Sequence, residues 1–357
     1  MNLLQIRFDE SGLHRGELLN RLSSLPGSFV LEVSPISAQA LTDEPPSELV
    51  SGLLLLCKDQ FTIDRAVVMI TALVHHPHEL SARKYDLPDS ATVTQPVFVV
   101  GAPFSGGGIV VDAWRKSSET WVPGSRMPRL LELVCGVIPG VRGNSDRLDP
   151  TSVSLKQRSV LRSAFLGGAR NSHGTLYADL AIRPDFIRLT EAWPRNCFRI
   201  ALLDLLFPDS FFVFIHRDPA SNIAAMIEGW QQPANLCRTA MGRRWSFVLP
   251  PGWEQVLDRP IDEIVAFQWA AANSSALDAL KVIPRLRWCV LRYEQLLEHP
   301  AQEIHRIGDF VGLAVDSRPW SVDPRTPALK QIVTIPRELS EHGIIDRLVE
   351  LEREAKS

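Results

Sequence analysis

The chain has 357 residues, 45% of them hydrophobic and 22% charged, with a formal net charge of −3. That is a globular balance with core enough for one large domain and a smaller one, and without a long basic run it excludes a nucleic-acid binder. The longest apolar stretches, Leu53 to Leu56 and Ala66 to Val74, are too short to span a bilayer. Residues 1 to about 90 read as a small α/β unit. Strands are expected over Leu3–Phe8 and Gly27–Val33. Helices are expected over Leu13–Leu25, Pro46–Asp59 and Thr62–Val74, the last opened by Thr62 with Asp64 in its first turn. Early charges (Arg7, Asp9, Glu10) leave no signal-peptide core there. His75, His76 and His78 invite a metal reading, but beside Pro77 they read as the end of a helix, and no metal is expected. Polar residues 84–94, with Pro88, read as a linker. The five cysteines (Cys57, Cys135, Cys197, Cys237, Cys289) are scattered and form no C-x-x-C pair, as expected of reduced thiols in a cytoplasmic protein.

From Pro96 onward the pattern alternates strand and helix, which implies a parallel sheet covered on both faces. It opens with QPVFVVGAPFSGGGIVVDAW, Gln95 to Trp114. An apolar strand, Val97 to Val100, stops at Gly101; a glycine-rich loop comes next, then a helix over Ile109–Trp114. Strand, glycine loop and helix place free N–H groups and the positive end of a helix dipole around a phosphate. The spacing of Gly101 and Gly106 matches the frame of the nucleotide-binding P-loop. Gly107 stands in place of that motif's Lys and Gly108 in place of its Ser or Thr, so ATP or GTP hydrolysis is not expected. A tight turn with glycines for packing is the structural alternative. Further helices are expected over Arg126–Ile138, Leu155–Phe165, Arg195–Leu206 (amphipathic), Pro219–Trp230 with Pro in its first turn, and Ile261–Lys281. Strands are expected over Phe186–Thr190, Phe211–His216 and Leu286–Arg292. A helix over Ala301–Val311, with Ile304, Ile307 and Val311 at helical spacing, precedes a charged terminal helix, Ile344–Glu354.

Three separated stretches resemble the PAPS-dependent sulfotransferase family, and a fourth, Trp245 to Trp269 (WSFVLPPGW, then FQW), resembles its bacterial, specialised-metabolism members. PVFVVGAPFSGGG is similar to that family's strand and 5′-phosphosulfate loop. LTEAWPRNCFRIALLDLLFPDSFFVFIHRDPASNIAAMIEGW resembles its E-K-T-P-x-N segment, F-P-D turn and R-D-P 3′-phosphate site. WCVLRYEQLLEHPAQEIHRIGDFVGL is close to its R-Y-E-D-L segment and the helix beyond. Order and spacing agree over about residues 95 to 315. The resemblance implies an α/β fold with a P-loop-like parallel sheet covered by helices, spanning residues 95–325. Outside it lie an N-terminal α/β accessory region, 1–90, and a C-terminal helical tail, 326–357.

Carried over residue by residue, the resemblance places Arg217 on the 3′-phosphate, where a planar guanidinium grips an oxyanion bidentately. Ser105 and the amides of Gly106, Gly107 and Gly108 wrap the 5′-phosphate, and Tyr293 lies near the adenine. The structural alternatives are an Arg217–Asp ion pair, a core tyrosine, and Arg292 paired with Glu294. The departures fall on the chemistry. The family's loop cation is Phe104 here, and its two Thr hydroxyls are Gly107 and Gly108. Glu191 and Pro194 are kept, but Ala192 and Trp193 replace the Lys and Thr between them, and Ala225 replaces a Ser. In a working enzyme Arg126 or Arg195 replaces the cation and Glu191 supplies the base. Trp230, Trp245, Trp253 and Trp269 either line an aromatic acceptor pocket or anchor the core.

The resemblance thus implies a transferase that tailors a small, largely apolar natural product, free or on a carrier, with PAPS or PAP as its nucleotide and sulfonyl transfer weakened or lost. No nucleic-acid or membrane partner is expected, and the N-terminal region is a candidate homo-oligomer contact. The alternatives are the same fold reused for other chemistry and a non-catalytic binding protein. A Ser-His-Asp hydrolase is a poor fit, because Ser105 lacks a G-x-S-x-G frame and His216 reads as a packed residue at a strand end.

Overall fold

Four consecutive leucines, Leu53 to Leu56, decide the N-terminal architecture. The computed structural model describes residues 93–314, apart from 125–126, 136, 138, 141–142, 176, 178–179, 181, 231, 233–235 and 242, together with 343–354 and four strand segments before residue 87. Those segments are β1 (Asn2–Arg7), β2 (Ser28–Val33), β3 (Gly52–Cys57) and β4 (Tyr85–Asp86). They form an antiparallel sheet in the order β2-β3-β1-β4, with Leu56 opposite both Phe29 and Leu3. The helix expected over Pro46–Asp59 is therefore a central strand where it is described. A short continuous apolar run fits a buried strand as well as a helix, and two flanking strands satisfy its backbone on both sides. The helices expected over Leu13–Leu25 and Thr62–Val74, and the histidines after them, lie outside the described residues.

The chain divides into two units. One comprises Met1–Thr92, Pro123–Gly136 and Val153–Asp185; the other comprises Val93–Val122, Val137–Ser152 and Phe186–Ser357. In the first, α2 (Met127–Val134) packs on α3 (Leu155–Gly167). Ser154 and Gln157 make a reciprocal capping box at the start of α3 (2.8 and 3.3 Å), and Gln157 Nε2 also donates to Val134 O at 2.7 Å.

The second unit is a parallel five-stranded sheet in the order β11-β8-β5-β7-β6. Its strands are β5 (Val97–Val100), β6 (Thr120–Trp121), β7 (Arg188–Glu191), β8 (Phe211–His216) and β11 (Trp288–Arg292). Val97, Val99, Val213, Ile215 and Leu291 face α1 (Gly107–Trp114) and α8 (Pro300–Val311) through Val110, Val111, Trp114, Ile304 and Ile307. Phe98 points the other way, 6.0 Å from Phe207 and 5.8 Å from Phe212. Period-two alternation thus sorts one apolar strand onto two cores. Arg188 Nη1, at the start of β7, donates to the last carbonyls of α8, Val311 O at 2.9 Å and Gly312 O at 2.8 Å. This closes a helix end that would otherwise lack partners.

The remaining helices are α4 (Ile200–Leu206), α5 (Pro219–Trp230), α6 (Ile261–Leu280), α7 (Tyr293–Glu298) and α9 (Ile344–Glu354). A hairpin, β9 (Leu236–Ala240) and β10 (Arg243–Ser246), comes after α5. The helix expected over Arg195–Leu206 is broken into a 3-10 turn, Pro194–Phe198, and α4, with Arg199 off helical geometry at φ −132°. Arg199 leaves the helix to pair with Asp146: Nη2 to Oδ1 at 3.6 Å and Nε to the backbone O at 3.0 Å. Both side chains are fully buried, and Asp146 Oδ2 also accepts the Leu249 amide at 2.6 Å. Removing one member of such a pair leaves a buried charge, at a cost of about 3–5 kcal/mol. Arg199→Met is expected to lower the thermal midpoint accordingly; an unchanged midpoint would mean that this pair does not hold the 144–150 segment to the sheet.

Candidate functional site

The loop between β5 and α1 is shaped by what its glycines exclude. A Cβ on Gly101 would come within 2.2 Å of Ile215 O and 2.6 Å of Ser105 Oγ. On Gly106, which has φ 102°, a Cβ would lie 2.5 Å from the Tyr293 ring. A Cβ on Gly107 would lie 3.3 Å from Ala192 Cβ, whereas nothing lies within 4 Å of a Cβ on Gly108. Ser105, 3% exposed, closes the turn through its amide to Ala102 O at 3.1 Å. Helix α1 begins here with Gly106 as N-cap and, among the described residues, no side chain bonded to its end. By contrast, α5 is capped by Asp218, whose Oδ1 accepts Ser221 N at 2.9 Å and Oγ at 2.8 Å. The starts of α4, α6, α7 and α8 likewise carry no N-cap side-chain bond; α1 differs in opening from the glycine loop, so its first amides face the turn.

Two side chains hold the loop from outside. Asn222 Nδ2, on α5, donates to Pro103 O at 2.7 Å, and Arg217 Nη1, just after β8, donates to Phe104 O at 3.3 Å. Arg217 is 5% exposed, and its guanidinium sits 4.5 Å over the Tyr293 ring. Its Nε and the Tyr293 hydroxyl are buried with no hydrogen-bond partner among the described residues. The structure also answers the ion-pair alternative: Arg217 makes no ion pair among the described residues, and Arg292 pairs with Glu294 at 3.1 Å. Ser105, Gly106, Gly107, Gly108, Arg217 and Tyr293 therefore gather at the C-terminal ends of β5, β8 and β11. Asn222 escaped the sequence reading, because nothing in a helical pattern marks which polar residue will reach a distant carbonyl.

The other candidates lie apart. Glu191 ends β7 in register with Phe98, hence on the α4 side of the sheet, and is 2% exposed. Burial pushes its carboxyl up to about 8, against the pull of Asn196 and Arg199, while neither carboxylate oxygen closes a hydrogen bond of ordinary geometry. Arg195 lies beside Asp146, at 3.8 Å. Arg126 is outside the described residues. Phe104, at φ 62° and 42% exposed, turns its ring against Gly229 and edge-on to Phe247 at 5.3 Å. Trp245, Trp253 and Trp269 are fully buried core anchors; Trp230 stays half-buried, its Nε1 donating to Gln268 Oε1 at 3.0 Å.

Bare amides at a helix start and a buried guanidinium suit an oxyanion. Gly106→Ala is expected to destabilise by more than about 1 kcal/mol, since Cβ meets Tyr293 and φ is positive; Gly108→Ala, facing open space, should be neutral. Equal melting shifts would mean that the loop is not packed this way. The folded chain holds the Glu191 proton more tightly than the unfolded chain. The associated stability is therefore fully present below the ordinary carboxyl value of 4.5 and is lost as pH rises to about 8. Urea midpoints of Glu191→Gln should lose that decline between pH 5 and 8, and a decline identical to wild type would assign it elsewhere.

The sulfotransferase family model matches residues 96–317. No curated protein matches the sequence. Likenesses to solved structures are distant. A sulfotransferase from Alicyclobacillus acidocaldarius is 13% identical, over 73% of this chain and 96% of that one, with a TM-score of 0.42. The sulfotransferase domain of the Synechococcus PCC 7002 olefin synthase is 16% identical, over 72% and 90%, with a TM-score of 0.36. A mouse sulfotransferase complexed with PAP is 12% identical, over 62% and 60%, with a TM-score of 0.32. Among the described residues no helix is long and apolar enough to cross a membrane, and no cluster of three potential metal ligands occurs. The matched stretch covers more than half of the chain and contains the loop, Arg217 and Tyr293: this chain belongs to the sulfotransferase family.

Proposed function

We propose that the chain binds PAPS, or its desulfonated product PAP, at the glycine loop, and that it is a cytoplasmic transferase tailoring a hydroxyl of a small, largely apolar natural product. One observation carries this reading. An uncapped helix start lies beside a buried guanidinium and a buried phenol, Arg217 and Tyr293, whose Nε and hydroxyl have no partner among the described residues. Unsatisfied buried polar atoms are costly, so their retention favours a ligand. In this reading Ser105 and the amides of Gly106, Gly107 and Gly108 hold the 5′-phosphate, Arg217 holds the 3′-phosphate, and Tyr293 lies at the base. When bound, PAPS would supply the sulfonyl group and leave as PAP.

The chain's own contribution to transfer is thin. With Phe104 in the loop and no hydroxyl at Gly107 or Gly108, helix amides carry most of the stabilisation of the leaving charge. A missing donor of this kind costs about 3 kcal/mol in the transition state. Arg126 is the proposed replacement cation. Glu191 is the base that the resemblance implies, but it ends β7 buried on the opposite face of the sheet and, with a pKa near 8, is mostly protonated at neutral pH, so it contributes little to proton removal at the loop. The same deficit favours a second reading, in which the nucleotide binds without turnover or the fold serves another reaction. The acceptor arrives free or on a carrier. Residues 1–90 are proposed as an accessory region and homo-oligomer contact, 95–325 as the sulfotransferase-like domain and 326–357 as a helical tail.

Calorimetric titration with PAP tests the reading. Wild type is expected to bind in the micromolar range. Arg217→Ala should weaken binding roughly tenfold or more, as for a lost charged hydrogen bond, with Tyr293→Phe doing far less. No binding by wild type, or equal small effects of both variants, would overturn it.

A further inference from the structure

Two phenylalanines beside the glycine loop hold backbone conformations that bulky residues rarely adopt, Phe104 at φ 62° and Phe247 at φ 63°. Their rings meet edge to face at 5.3 Å and 85°. Both rest on Gly229, where a Cβ would come within 2.7 Å of the Phe104 ring and 2.8 Å of the Phe247 ring. Phe247 is backed in turn by Trp230, edge-on at 6.5 Å, whose indole is tied to Gln268. One ring is therefore held in place, while the other, 42% exposed, presents a free surface.

Core packing does not explain this arrangement. A strained backbone persists where its surroundings over-determine it, and such positions cluster at ligand sites. Here the strain leaves a large aromatic side chain exposed instead of burying it. Phe104 is also two residues before the N-cap of α1, and its carbonyl accepts Arg217 Nη1 at 3.3 Å. Its ring and the anion-binding amides are thus parts of one rigid turn.

We infer that Phe104 and Phe247, seated on Gly229, form a clamp for the planar aromatic ring of an uncharged acceptor and so set the acceptor specificity of this site. An aromatic ring adds edge and offset contacts to such a pair that a saturated ring of similar size does not. A charged group laid on the same surface would lose water without gaining a partner. That the clamped ring lies next to the transferred group rests on the nucleotide reading above; the ring binding itself does not.

The test is calorimetric titration of the full chain with naphthol, an uncharged fused-ring phenol, and with decalol, its saturated counterpart, alongside PAP. Wild type is expected to prefer naphthol. Phe247→Leu, which keeps bulk but removes the ring, should weaken naphthol about two- to tenfold and abolish the preference while PAP affinity stays within about twofold. Gly229→Ala, which pushes a methyl into both rings, should likewise weaken naphthol and abolish the preference, and it decides the matter if the first variant fails to fold. No naphthol binding by wild type, or equal binding by wild type and both variants, overturns the clamp. Naphthol binding that depends on Phe247 without any PAP binding keeps the clamp and removes the nucleotide reading; PAP binding without naphthol does the reverse.

Discussion

The carbonyls of the glycine loop are held from outside it, and the rest of the site depends on that. Asn222 draws in Pro103 O at 2.7 Å and Arg217 draws in Phe104 O at 3.3 Å. With those peptide units fixed, the next amides are displayed at the start of α1 with no side chain capping them. Gly101 lets the turn close against Ile215, and Gly106 lets Tyr293 pack under it. A site assembled this way loses little ordering entropy when a ligand arrives, because its donors are already placed. Arg217 serves twice: one N–H steadies the loop while its buried Nε remains without a partner among the described residues.

Two of the most deeply buried carboxyls of this unit, Asp146 and Glu191, stand in different surroundings. Asp146 is paired with Arg199 and Arg195 and accepts the Leu249 amide. At Glu191 burial outweighs the pull of Asn196 and Arg199, raising its pKa to about 8, and the proton stays on at neutral pH. A Cβ on Gly107 would meet Ala192, the residue after Glu191, at 3.3 Å, so β7 ends next to the loop, and a neutral Glu191 adds no negative charge to that strand end.

Much of the fold was legible because its signals are local. The strands over Val97–Val100, Phe211–His216 and Trp288–Arg292 are continuous apolar runs, as a sheet covered on both faces requires. Pro219 marked the start of α5. The misreadings came where tertiary partners outweighed pattern. The leucines of β3 became a strand because β1 and β2 flank them, and Arg199 broke a helix to reach Asp146. Hairpin β9–β10 carries too little alternation to be seen, and three tryptophans that were candidates for a pocket fill the core.

By itself the sequence determined that an apolar strand runs into a glycine loop opening a helix, and that Arg217 and Tyr293 come after later strands. Those are properties of neighbouring residues and their backbone preferences. Only the tertiary structure decided that these pieces meet. Parallel pairing in the order β11-β8-β5 sets three strand ends side by side, which places Tyr293 under Gly106 and Arg217 over Tyr293. It also decided which way Phe104 faces, since its partners Gly229 and Phe247 lie far along the chain. Glu191 went to the opposite core for the same reason: in a parallel sheet the register of a strand, not the identity of its residues, assigns each side chain to a face.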